Sequence, residues 1–422
     1  MVAVAAAAAW LLLGYGANRD QLDAIRTAGT LGVGFGGVVA LWLAVRRQRS
    51  TELDLLQKYE AHRLAERIAA QNAAATDRAA AHAEHDARER RLTDLYLKAV
   101  EQLGSDKAAV RHGGLYALER VAQDNPSQRQ TVVDVICAYL RGPYTPPQGT
   151  EQARRLGGVR RPLLTTHANR RQATIIGSAT APAKSVTSTT EAQQEREVRL
   201  TAQRILSRHL NLGPDPKQPV DTFWANIRLD LTGATLISFE FANCHIEAAD
   251  FAGARFDGDA FFAGVNFSGN AWFRGASFAG YAVFSEARFN GDAWFGDTSF
   301  VRFAAFDGVS VNGDAWFSDT SFGGNAGFGG ASFAGKASFG SASFAGDASF
   351  RRASFAGDAW FGWASFAGEV SFDGARFDVD AMFEGASFAG NVNFVDARFV
   401  RGTPDSLQAY FTSDDRDPNN AD

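Results

Sequence analysis

The side chains that could do chemistry are few, and most recur at a fixed spacing. Trp272, Trp294 and Trp316 stand 22 residues apart, and the same step leads to Ser338, Trp360 and Met382. An exposed apolar stripe of this kind marks an interaction surface. A ring ladder stacked only on itself would serve the fold instead, and the sequence leaves both open. A second set is acidic: Asp259, Asp292, Asp314, Asp347, Asp358, Glu369 and Asp380. Such carboxylates could hold cations or imitate DNA phosphates, although solvated surface charge is the plainer account. Cys137 and Cys244, the two cysteines, are far apart, which suits a reducing compartment and no disulfide framework. Cys137 falls on the apolar side of a helical segment and reads as core. His82 and His85 are two ligands at most, too few for a zinc site. Gly32, Gly34, Gly36 and Gly37 follow no strand and lie in an apolar run, so helix packing is expected there rather than a phosphate loop. No G-x-S-x-G, H-E-x-x-H, Walker or paired-cysteine motif occurs, and no enzyme activity, cofactor or metal is expected.

What must position the stripe is a repeat. Phe occurs 34 times, and one series runs from Phe251 to Phe394 in steps of 11. A second series, offset by five, runs from Phe256 to Phe399 with Val311 in one place. A small or β-branched residue such as Ala271, Ala282, Thr298 or Val309 stands two before each centre. Leu231, Leu236, Phe241 and Ile246 lead in at a plain five-residue spacing. Neither 3.6 nor 2.0 generates this pattern, whereas a fixed short period marks a solenoid. No Pro interrupts residues 220–403, as ladders of parallel strands require.

Over residues 226–402 the pattern resembles the pentapeptide-repeat family. The resemblance implies an all-β right-handed quadrilateral β-helix in which each central Leu or Phe, and the small residue two before it, point inward. Four units then make one square coil. This chain departs from the plain form by one extra residue in every second unit, as in FAGDAWFGWASF at 355–366, giving 22 residues per coil. The 28 centres of the two Phe series make seven coils, a stack of roughly 34 Å at about 4.8 Å each. Open ends need covers: a helical cap is expected over 194–225, and a C-terminal cap and tail over 403–422.

The front of the chain is different. Residues 27–45 are uncharged and followed by Arg46, Arg47 and Arg49, and residues 2–16 are also apolar. These predict a transmembrane hairpin or anchor within 1–46, with a short outer loop around Asn18–Arg26 or else a single span, and residues 46–422 in the cytoplasm at the cell membrane. A helical stalk is expected over 47–91, where Leu53, Leu56, Leu64 and Ile68 suit either a coiled coil or a lone helix. A small HEAT-like helical module follows over 92–142. In it Ser105 or Asp106 caps a helix bearing Val110, Leu118 and Val121, and a third helix bears Val132, Val133, Ile136 and Leu140. Residues 143–193, with the basic pairs Arg154–Arg155, Arg160–Arg161 and Arg170–Arg171, suggest a disordered linker.

Charge separates the halves: residues 1–228 carry 31 Lys+Arg and 22 Asp+Glu, residues 229–402 carry 10 and 20. The Ala-, Arg- and Gly-rich composition fits a bacterial source. The expected function is a membrane-tethered scaffold that binds a protein partner, or a second copy, on the β-helix surface. The alternative, by analogy with soluble pentapeptide-repeat proteins, is a DNA mimic that modulates a topoisomerase such as DNA gyrase. Direct nucleic-acid binding is not expected of an acidic solenoid.

Overall fold

The computed structural model describes Trp10 and residues 19–147, 184–215 and 217–410, with side chains from 36 onward in the first helix and from 190 in the last. The chain divides into two compact units, residues 1–90 and 91–422.

In the first unit the backbone is helical from Arg19, in a helix, α1, that spans Arg19–Leu103. Residues 19–26, expected as an outer loop, are therefore helix. The Ala-, Glu- and Arg-rich sequence, free of Gly and Pro beyond Gly37, favours it. The pairs Lys58–Asp54 and Arg88–Glu84 add i,i+4 support. Leu53, Leu56, Leu64 and Ile68 are all exposed. Among the described residues no helix is long and apolar enough to cross a membrane. The apolar run 2–16, apart from Trp10, and the side chains of 27–35 lie outside the described residues.

The second unit opens with a helical bundle. The end of α1 packs with α2 (Ala108–Asp124), α3 (Arg129–Arg141) and α4 (Lys184–Leu210). Val132, Val133, Ile136, Cys137 and Leu140 of α3 are buried as their spacing predicts. Val110 is exposed instead, and Leu115 takes its place in the core. Gly114 lies beside Leu115 where α2 comes close to α1: a Cβ there would lie 2.8 Å from the Ala99 carbonyl and 2.9 Å from the Leu103 amide. Lys107, not Ser105 or Asp106, is the N-cap of α2, while Ser105 Oγ accepts the Lys107 amide. The cap helix begins ten residues earlier than expected, at Lys184, which shortens the linker. The rest of that linker, with its arginine pairs, lies outside the described residues.

From Arg228 the chain winds into a parallel β-solenoid. Two eight-stranded sheets form two of its faces. A 14-stranded sheet forms the other two, joined through strand Arg255–Phe261, which runs round one corner. The first turn pairs with the second at a 20-residue step (Leu229 with Ala249), and later turns pair at 22 (Ala271 with Ala293). The extra residues enter at Asp257–Asp259 and Ser268–Asn270, in opposite corners. There are thus eight turns rather than seven, because Leu231, Leu236, Phe241 and Ile246 form a complete first turn, all buried.

Inside, Phe rings of successive turns stack in columns, as in Phe284, Phe306 and Phe328 at 4.9 Å centroid spacing. Opposite columns meet edge to face, as Phe295 meets Phe306 at 5.3 Å. The two threonines buried inside the solenoid donate to main-chain carbonyls, Thr298 to Phe273 and Thr320 to Phe295. The first turn's open edge is met by side-chain amides that imitate a strand. Gln203 of α4 bonds both the N–H and C=O of Ile237, at 2.9 and 2.8 Å. Gln130 of α3 does the same for Arg228. At the far end a 3-10 turn, Asp405–Tyr410, buries Leu407 and sets Tyr410 edge-on to Phe388.

Candidate interaction surface

The Trp column is real in register: Trp272, Trp294, Trp316, Ser338, Trp360 and Met382 are successive partners on one face. Each stands between a buried or, at Ala381, partly buried Ala and a buried Phe centre, so the pleat directs it outward. The column is not uniform. Trp294 and Trp316 stack at 5.2 Å, 12° from parallel, and both indole nitrogens are covered and without a hydrogen-bond partner. That part is a self-packed ladder. Ser338 breaks it and instead bonds Ser318. Above the break Trp360 is 44 % exposed and faces a second indole, Trp363, which is 64 % exposed. Their rings are 6.5 Å apart and tilted by 35°.

Trp363 does not belong to the stripe found by spacing. It occupies the second turn position after Phe361, a slot filled by Gly275, Asp297, Asp319, Ser341 and Gly385 in other turns, all with positive φ. Its own φ is 55°. A bulky residue in left-handed backbone is uncommon, and that oddity was available in the sequence once the turn slots were aligned.

The acids form two opposite corner columns rather than one. Asp259, Asp347 and Glu369 share a column with Tyr281, Phe303, Asn325 and Asn391; Asp292, Asp314, Asp358 and Asp380 share the other with Asn270 and Lys336. Their recurrence has a local cause. At the six-residue corner one amide of the next turn has no strand partner, and at six corners an Asp or Asn side chain accepts it. Asp259 takes the Tyr281 amide, Asp292 that of Asp314, Asp314 that of Lys336, and Asp347 that of Glu369. Asn270 and Asn325 do the same for Asp292 and Asp347. What these six corners share is a short side-chain acceptor rather than charge as such, whereas Asp358, Glu369 and Asp380 accept no such amide among the described residues. Asp380 is paired with Arg401.

Burial pushes the Cys137 and Cys244 thiols up to about 12, which removes them as nucleophiles at neutral pH. His82 and His85 are exposed on α1. Among the described residues no group of three or more His, Cys, Asp or Glu is placed to hold a metal. The face opposite the tryptophans has an open groove of about 540 Å³ bordered by Phe303, Asp307, Arg351 and Glu369. Its Arg351 is already paired with Asp373, and Asp307 accepts the Gly329 amide.

Segments 262–310, 273–321, 317–362 and 339–386 match the family model described as pentapeptide repeats (9 copies). No curated protein and no solved structure matches the chain.

Proposed function

We propose that this pentapeptide-repeat solenoid is a non-enzymatic scaffold that holds a protein partner on the upper part of its tryptophan face, and that its N-terminal apolar segments tether it to a membrane with residues 46–422 in the cytoplasm. One observation carries the scaffold: two neighbouring indoles are left open on a rigid face whose other stripe tryptophans are half-buried. Exposed aromatic pairs on rigid elements are the usual anchors of protein interfaces. The tether is supported by the uncovered Val38, Leu41, Trp42 and Leu43 beside Arg46, Arg47 and Arg49.

Crosslinking in cells followed by recovery from membranes tests the face. A Trp360→Ser, Trp363→Gly double variant with an unchanged melting curve should lose a specific partner or self-crosslink; recovery of the same set from both proteins refutes the assignment. Deletion of residues 1–46 should move the protein from the membrane fraction to the supernatant. The DNA-mimic alternative is disfavoured by corner columns in which Tyr281, Phe303 and Lys336 interrupt the carboxylates. It predicts inhibition of gyrase supercoiling by the purified protein, where the scaffold predicts none.

A further inference from the structure

Resting on that assignment of the face, we propose that Trp360 and Trp363, with Glu384 beside them, form a seat for an arginine or lysine side chain, so that the partner presents a basic segment. The seat is built by subtraction. Ser338 removes the ring beneath Trp360, and three glycines clear room for the two indoles. A Cβ would come within 3.3 Å of the Trp360 ring at Gly340, 2.4 Å of Trp360 Nε1 at Gly362, and 2.6 Å of Trp363 Cδ1 at Gly385. The result is an open wedge of two aromatic faces.

Charge decides what suits it. The Trp363 amide donates to the Glu384 carbonyl, which places Glu384 on the rung directly above. Asp358 precedes Trp360 at the corner, and Asp319 lies two turns below Trp363 in the same slot. Glu384, Asp358 and Asp319 are in no ion pair among the described residues, whereas Arg401 and Arg274 of this face are already held by Asp380 and Asp297. Lys336 is the one basic residue of that corner column, a turn below Asp358. An anionic partner would be repelled, and a purely apolar one would strip water from Glu384 and Asp358 without replacing it. A guanidinium or ammonium lies well over indole faces and answers the surplus negative charge around them. The surrounding solenoid, with 10 Lys+Arg against 20 Asp+Glu over 229–402, would steer a basic segment towards the seat.

The test is calorimetric titration of the full-length protein with a nona-arginine peptide and with its neutral nona-citrulline counterpart, at physiological salt. Nona-arginine should bind and nona-citrulline should not. Trp363→Gly and Glu384→Gln should each weaken binding by about threefold or more. Gly suits the left-handed slot, so Trp363→Gly should fold; its melting curve verifies this. Equal affinity in wild type and Trp363→Gly, or no binding by wild type, overturns the proposal. If wild type ignores the peptide while the Trp360→Ser, Trp363→Gly protein still loses its membrane-recovered partner, the cationic class falls and the face stands. If the partner is also retained, both fall.

Discussion

Asp314 holds the Lys336 amide at 2.9 Å, and Asn325 holds the Asp347 amide at 3.1 Å in the opposite corner. If the acceptor matters and the charge does not, Asp314→Asn should leave the melting temperature unchanged, while Asp314→Ala should cost about 0.5–1.5 kcal/mol in denaturant titrations. The sequence displayed these acids clearly but could not reveal their role, since an exposed Asp and an amide-accepting Asp look alike until the corner is built. Trp363 was harder still to see. Its significance lies in backbone sign rather than residue type, and Gly275, Asp297, Asp319, Ser341 and Gly385 in the same slot of other turns give it no aromatic partner at the 22-residue step. Replacing it with Gly should hold or raise stability, by up to about 1 kcal/mol, because left-handed backbone disfavours a side chain. Deep in the core, Phe306→Ala, which empties a site between Phe284 and Phe328, should cost about 3–5 kcal/mol.

Between α4 and the first turn, the bonds are made by side chains that no periodicity announces. Gln203 is buried and satisfies both polar groups of Ile237. Gln203→Ala should cost about 1–3 kcal/mol, since both partners are then left unpaired. His209 of α4 stacks on Trp224 at 3.9 Å and places its ring nitrogens 2.6 Å from the Thr222 carbonyl and 2.8 Å from Glu119 of α2. The hydrogen bond to His209 holds the Glu119 carboxyl below its ordinary value of 4.5, against the opposing effect of burial and with help from Arg208. A depressed carboxyl stabilises the fold at pH above its unfolded value and loses that contribution as pH falls through its folded value. Thermal melts of wild type should therefore fall more steeply than those of Glu119→Gln from about pH 5 to pH 3. The helices themselves were largely legible from their apolar faces and stops. The start of α4 at Lys184 was not, because the Ser- and Thr-rich stretch before Glu191 has weak helix propensity and reads as linker.

At the scale of the solenoid, period was legible and count was not. The 11-residue Phe series fixed the faces, the stripe and the 22-residue coil, whereas the first turn was legible only as a five-spaced lead-in and went uncounted, because it is Leu- and Ile-rich and steps by 20. A fixed step also means that whole turns are interchangeable. Removing Ser318–Phe339 should preserve a cooperative melt, because Gly340 then stands where Ser318 stood. Removing Ser318–Phe322 alone should abolish it, because every later strand meets the wrong face. The 22-residue deletion should also set Trp360 directly on Trp316 and bury it, measurable as reduced quenching of tryptophan fluorescence by acrylamide.

Rungs can only be counted, never divided. The Trp360 strand lies six pairings beyond Leu229, where the helical cap begins its hold. With stacked rings 4.9 Å apart, that is about 30 Å. The altitude of the seat is thus a whole-number quantity: it changes by one storey when a turn is gained or lost, and point substitutions cannot make it drift. A partner docked there would be held at an address written in turns, and the protein would work as a gauge block as much as a grip.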